Sequence, residues 1–314
     1  PLARPAPAQG AYPDRPVRLV VAFPPGGPTD VVARILAERM ARDLGQPVVV
    51  ENRGGANGNI AADAVAKAPP DGYTVLYNTS SIAISRALYR SLPYDVLGDL
   101  RPVALTAASP LALVVHPSLP PRDPPGFIAW ARANSGRVSY SSGGVGNANH
   151  LAGVLFAEAA GLSMEHIPYR GTAPALLDVV AGRVAMNFSS PPPAIPQIKE
   201  GKLRAVATTG AKRSAVLPDV PTLDEAGVKG FEATAWFGVL APAGMPPAPL
   251  ERLGREVDAV ARDPAFRARI EPLGGDPPGL TPDGGTSPAA FEAFLASERR
   301  KWAEVAQRSG AKVE

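Results

Sequence analysis

Two short stretches hold residues suited to gripping an anion without a charged side chain. In the first, Val20-Val21-Ala22-Phe23-Pro24-Pro25-Gly26-Gly27-Pro28-Thr29-Asp30, an apolar run ends in paired prolines and paired glycines. Gly26 and Gly27 accept positive φ and let a ligand come close to the main chain. Pro28, Thr29 and Asp30 are favoured around a helix start. Val32, Ile35, Leu36 and Met40 then recur on one helical face, and Gly45 suits a C-cap. Strand, glycine loop and helix N-terminus in that order gather unpaired N–H groups at the positive end of a helix dipole, a ready site for an anion. The second stretch repeats the order: "VSYSS" with Ser141 and Ser142, then Gly143, Gly144, Val145, Gly146, Asn147, Ala148 and Asn149. A helix follows it with Leu151, Val154, Leu155 and Ala159 on one face. A tight turn that binds nothing is the alternative for either stretch alone. Two that face each other would clamp a small anion from both sides, at the sheet edge where open α/β folds take ligands.

The elements needed to position these loops follow from periodicity. After the first helix come the strand "QPVVVEN", the loop "RGGANGN", the helix "IAADAVAKA", the turn "PPDG" and the strand "YTVLYN". Strands alternating with helices make an α/β fold with largely parallel sheets. "LALVVHP" then exits into the Pro-rich "SLPPRDPP", and a second α/β series runs to "LRAVATTG". "FEATAWFGVLAPAG" is a returning strand, followed by two helical stretches with no sheet of their own. The economical arrangement packs those helices on the first unit. We therefore expect a lobe from residues 11–115 and 233–314, an inserted lobe 116–232, and two crossing strands as hinges.

Composition narrows the chemistry. The 314-residue chain has room for two cores. It has no cysteine, which excludes disulfides, thiolate catalysis and Cys-ligated metal. His116, His150 and His166 show no metal-ligand spacing, so no metal and no cofactor are expected. The net charge of +3, from 32 basic and 29 acidic residues, is scattered rather than run together with aromatics, so nucleic acid is not an expected partner. No apolar run approaches the ~18 residues of a membrane span. In "PLARPAPAQGAYPDRP", Ala6-Pro7-Ala8 fits the small-x-small pattern before a signal-peptidase cut. Residues 1–10 are thus read as the tail of an export signal, with mature protein starting near Gln9 in the periplasm; an ordinary disordered terminus is the alternative.

Taken together, "YPDRPVRLVVAFPPGGPTD", "GQPVVVENRGGANGNIAADAVAKAPPDGYT", "LVVHPSLP", "VSYSSGGVGNANHLAG", "IPYRGTAPALLDVVAG", "LPDVPTLDEAG" and "GVLAPAGMP" resemble one family. It is the solute receptors of tripartite tricarboxylate transporters, the Bug-type periplasmic binding proteins, and the likeness runs from about Tyr12 to the C-terminus. It implies a two-lobed periplasmic binding protein of type II-like architecture, with two mostly parallel sheets joined by two hinge strands. It implies a receptor, not an enzyme, that captures a small carboxylic acid and hands it to integral-membrane permease subunits; we expect a monomer. Recognition in the family relies on main-chain amides, hydroxyls and water from the two loops. That implies Gly26, Gly27, Pro28, Thr29 and Asp30, and Ser141, Ser142, Gly143, Gly144, Gly146, Asn147 and Asn149 here. The loop after the third strand (Asn78, Thr79, Ser80) and the loop Phe188, Ser189, Ser190 would line the pocket, with Phe23 and with Tyr169, Arg170 and Gly171 of "IPYRG". Two departures stand out. Asn147 replaces the family's usual Ser or Thr, and Pro28 and Pro191-Pro192-Pro193 have no N–H to offer.

Several candidates carry two readings. Asp30 either grips a ligand ammonium or satisfies the start of its own helix. His150 is a candidate contact or a structural histidine, and Arg170 reaches an anion, the facing lobe or solvent. Trp236 and Phe237 form a pocket wall or pack in a core. Gly144-x-Gly146 with Glu165 downstream offers a dinucleotide site as the enzymatic alternative, but Asn149 stands where close packing wants Gly or Ala. Gly-x-Ser-x-Gly and Gly-Lys-Ser/Thr are absent, which argues against a serine hydrolase and a P-loop. A receptor feeding a membrane sensor kinase uses the same fold and is the closer alternative.

Overall fold

The computed structural model describes residues 12–169 and 171–309. The expected signal remnant with Ala6, Pro7, Ala8 and Gln9, and the candidate Arg170, lie outside the described residues. The chain opens with β1 (Val17–Val21), α1 (Pro28–Leu44), β2 (Val48–Asn52), a 3-10 turn (Ala56–Gly58), α2 (Asn59–Ala66), β3 (Thr74–Thr79), α3 (Ser81–Leu88) and β4 (Leu100–Pro110). It continues through β5 (Ala112–Val115), α4 (Pro124–Ala133), β6 (Val138–Ser142), α5 (Ala148–Ala160), β7 (Met164–Pro168), α6 (Thr172–Val180), β8 (Met186–Ser189), α7 (Pro191–Lys199) and β9 (Arg204–Thr208). It ends with β10 (Thr234–Pro242), α8 (Pro247–Arg262), α9 (Pro264–Ile270), a second 3-10 turn (Glu271–Leu273) and α10 (Pro288–Ser309).

Two five-stranded sheets result, in the orders β2-β1-β3-β10-β4 and β7-β6-β8-β5-β9. In each, four strands run one way and one is reversed: β10 is antiparallel to both β3 and β4, and β5 to both β8 and β9. The sheets are mixed, and the reversed strands are the two that follow a crossing. Helices cover both faces of each sheet, which is why inner strands such as Val75, Leu76 and Tyr77 of β3 are apolar without a break. On one face of the first sheet, α1, α8 and α9 bury Leu36, Met40, Val257 and Phe266 against β1 and β3. On the other, Ile82, Phe291, Leu295 and Trp302 of α3 and α10 pack against Leu76 and Leu240. The second sheet is covered around Phe127, Phe156 and Phe188 on one face and around Leu176 and Leu203 on the other.

One strand expectation needs correction. Residues 112–115, placed at the end of the first lobe's span 11–115, are β5 and pair with β8 and β9 of the second sheet. The chain therefore passes between sheets at Leu111. The 11-residue β4 forms although Pro102 and Pro110 interrupt its apolar pattern. β4 lies at the edge of its sheet, where a missing N–H costs no ladder bond. Among the described residues, no helix is long and apolar enough to cross a membrane.

Candidate functional site

Between the facing edges of the two sheets lies a cleft of about 520 Å³. Helix starts from both units point at it. Gly27 is the N-cap of α1, without a side-chain cap, and Gly26 sits at φ 81°. The loop is held from inside: the buried Asp30 carboxylate accepts hydrogen bonds from the Gly26 amide (2.9 Å), Arg34 Nε (2.9 Å) and Asn52 Nδ2 (2.8 Å). Burial opposes charge on Asp30, but these donors outweigh it and hold the carboxyl below its usual range. Asp30 therefore shapes the loop and does not face the cleft.

The second unit brings two helix starts side by side. Asn147 caps α5 by accepting the His150 amide at 2.9 Å, so the departure from Ser or Thr keeps the turn. Gly171, at φ 119°, is the N-cap of α6, and its amide donates to the Gly143 carbonyl at 3.1 Å. Any side chain at Gly143 would press within 2.9 Å of the Thr172 amide nitrogen, which is why that position needs glycine. Among the described residues, the amides of Thr29, Ala148, Asn149 and Thr172 have no protein acceptor, as expected in the first turn of a helix. Thr29, Ala148, Asn149 and Thr172 all line the cleft, and none of its described lining residues is charged.

Beneath the second loop two histidine rings stack at 4.1 Å, with Tyr140 at 4.9 Å from His166. His150 Nδ1 accepts the Gly146 amide (3.1 Å), so its proton sits on Nε2, and Ser142 Oγ lies 2.6 Å from His166 Nε2. Burial and the neighbouring His166 push His150 down to about 3, and burial pushes His166 down to about 4. Both are neutral at pH 7 and serve to hold the loop. Ser141 is buried, donating to the Ala175 carbonyl (2.9 Å) and accepting from Asn187 Nδ2 (3.0 Å).

Of the candidates read from the sequence, Phe23, Gly27, Pro28, Thr29, Thr79, Ser80, Gly143, Gly144, Asn147, Asn149, Gly171 and Ser190 line the cleft. Among them, the Ser80 hydroxyl is buried with no partner among the described residues. Gly26, Asp30, Asn78, Ser141, Ser142, Gly146, His150, Tyr169, Phe188, Ser189 and Trp236 stand behind it. Asn78 Oδ1 is occupied by the Thr79 amide (2.8 Å) and Ser81 Oγ (3.1 Å), and Ser189 Oγ donates to the Ser190 carbonyl (3.1 Å). Tyr169 donates to Asp178, and Phe188 sits in the second core. Trp236 points to the opposite face of β10 from the cleft: its Nε1 donates to Glu298 at 2.9 Å and its ring meets Phe291 and Phe294 edge-on. Its neighbour Phe237 is the wall, lying parallel to Tyr77 at 6.4 Å, because side chains alternate along a strand.

Asn57, Tyr89, Leu111, Thr172 and Ala235, which are not among the candidates read from the sequence, also line the cleft. Asn57 had a signal in "RGGANGN", since Asn tolerates the left-handed conformation it adopts at φ 54°. Its Nδ2 donates across the cleft to the Gly146 carbonyl at 3.0 Å. Tyr89 and Thr172 had no such signal.

The model of the tripartite tricarboxylate transporter family receptor matches residues 32–305. The chain is 40% identical over 304 residues to protein BugT of Bordetella pertussis (strain Tohama I), spanning 96% of this chain and 91% of that protein. The fold matches the periplasmic binding protein BugD with a TM-score of 0.82 at 37% identity, over 96% of this chain and 100% of that one. It matches Rpa4515 of R. palustris, solved with adipate, with a TM-score of 0.85 at 36% identity and the same coverages.

Proposed function

The chain belongs to the receptors of the tripartite tricarboxylate transporter family, and from that premise we propose that its cleft closes on a small carboxylic acid, which it delivers to an integral-membrane permease. The family is one of solute receptors, not of enzymes, and its members are periplasmic binding proteins. We infer that this chain is exported, with the signal cut near Ala8, and works as a monomer.

The observation that carries the reading is the set of unpaired helix-start amides brought to one cleft from both units. Each adds a donor and the positive end of a dipole, so a carboxylate is held by neutral groups. The two sheets with their helices act as lobes that hinge where the chain crosses, at residues 110–111 and 233–234. Closure excludes water and strengthens those hydrogen bonds, so the ligand shifts the population toward the closed form. At about 100 times its dissociation constant a ligand adds about 2.7 kcal/mol of stability. That raises the melting temperature by several degrees. A thermal-shift screen of mono-, di- and tricarboxylates tests the reading. Gly27→Val is the informative variant: Gly27 has an ordinary φ of −79°, so valine leaves the loop intact while blocking access to the amides. Gly144, at φ 137°, would strain the backbone as well. No shift with any carboxylate, or an undiminished shift in Gly27→Val, overturns the reading.

A further inference from the structure

Resting on that receptor reading, we propose that Glu298, on α10 and outside the cleft, is a positioning residue for the ligand: it fixes the hinge strand β10 through Trp236, and through Trp236 the Ser80 hydroxyl that the ligand meets. β10 returns the chain to the first unit, and its Ala235 and Phe237 line the cleft. Side chains alternate along a strand, so Trp236 between them faces the other way, onto α10. There the Glu298 Oε2 accepts the Trp236 Nε1–H at 2.9 Å and the Trp302 Nε1–H at 3.0 Å. Two residues on, Gly238 leaves no space for a side chain, since a Cβ would come within 2.4 Å of the Phe291 ring. α10 thus holds β10 by one close fit and one polar contact, just past the crossing.

Packing alone would not call for that polar contact. Glu298 is 7% exposed, and among the described residues its other oxygen meets only Lys301 Nζ, at 3.5 Å. Two indoles and one distant ammonium are few partners for a carboxylate taken out of water. What the carboxylate secures is placement. Without an acceptor the Trp236 N–H would be buried and unpaired, and the strand would shift to relieve it. The carbonyl of the same Trp236 accepts the Ser80 amide at 3.1 Å, one position beyond the paired Phe237 and Thr79. Ser80 is 1% exposed and lines the cleft, and its hydroxyl has no partner among the described residues. A buried hydroxyl left open toward a cleft serves a ligand only while its backbone stays in place. The path from α10 to the ligand is therefore one side-chain contact, Glu298 to Trp236, and one main-chain contact, Trp236 to Ser80. Trp302 is the internal comparison. It shares the same carboxylate oxygen and is as deeply buried, but it lies on α10 itself and does not line the cleft.

The test uses the full chain, and calorimetry with whichever of malate, adipate, citrate and benzoate raises its melting temperature most. Trp236→Phe should weaken that acid about tenfold. Trp302→Phe, which removes an equally buried indole from the same oxygen and lowers the melting temperature comparably, should leave the affinity within about twofold. Glu298→Leu should weaken the acid about tenfold, and Glu298→Gln, which keeps an oxygen for both indoles, should restore it to within about threefold of wild type. Ser80→Ala should also weaken it about tenfold, and adding Trp236→Phe to Ser80→Ala should weaken it less than about twofold further, because both act at one hydroxyl. This inference is overturned if Trp236→Phe and Trp302→Phe bind alike, if Glu298→Gln binds no better than Glu298→Leu, if Ser80→Ala binds as wild type, or if the single losses multiply in the double variant; each of these leaves the receptor reading standing. No acid shifting the folded wild type overturns both.

Discussion

Asp30, His150 and Ser80 are three polar residues at the binding loops, and each serves a different end. Asp30 carries a charge that never meets the ligand, because three donors consume it. The stacked His150 and His166 are neutral, and this has a measurable sign. Folded values near 3 and 4 lie below the ordinary 6.5, so the unfolded chain binds more protons as pH falls below 6.5. Stability is fully present above pH 6.5 and is lost as pH falls toward 4. A melting temperature that drops between pH 6.5 and 4.5, and drops less in His166→Gln, is the expected result; a flat wild-type profile contradicts it. Glu256 has the opposite sign. It is buried on α8, with Oε1 unpartnered and Arg252 no nearer than 3.6 Å. Burial and the charge of Asp43 push its carboxyl above the usual range. The fold then binds the extra proton, and stability falls as pH rises through the raised value. Glu256→Gln should raise the melting temperature by about 1–3 °C at pH 8 and by less at pH 4.

At the scale of elements, α5 belongs to the second unit but packs on the first. Leu151 is buried in the same cluster as Phe291 and Leu295 of α10, and any side chain at Gly146 would collide with Leu88 of α3 at 2.4 Å. Asn57 adds a hydrogen bond to the same junction from a strained turn, with Ala56 and Asn57 both at positive φ. These contacts exist only while the units are together. Asn57→Ala should therefore weaken ligand binding by about tenfold through loss of the closed form. Small-angle scattering should show a larger radius of gyration for the ligand-bound variant than for the ligand-bound wild type. Equal radii and equal affinity would remove Asn57 from the closure mechanism.

For the whole molecule, recognition of an anion by neutral donors carries its own signature. Neither wall of the cleft brings a charged side chain among the described lining residues, so no long-range field guides the ligand in from them. Short hydrogen bonds in a closed cleft are screened little by salt. The dissociation constant of the bound acid should change less than about threefold between 0.05 and 0.5 M salt, measured by calorimetry. A steep salt dependence would place a charged side chain in the site.

The two loops were legible in the sequence because their signals are local. Glycine where φ is positive, proline at N1 and asparagine at an N-cap each state a backbone geometry within a few residues, and "FPPGGPTD" and "GGVGNAN" state it completely. The same holds for the alternation of strands and helices, and the resemblance to a receptor family rested on these motifs in order. What the sequence left open was long-range. Whether Trp236 or Phe237 faces the cleft depends on which side of β10 the helix α10 covers, and α10 is over 50 residues away in the chain. β4 became visible as a strand only once its edge position excused Pro102 and Pro110. Asn57 and Tyr89 reach the cleft because two separately folded units meet there, a fact that no window of sequence contains. Tertiary packing alone decided which of the polar residues near the loops had already spent their hydrogen bonds, and so which amides and which hydroxyl remained for a ligand.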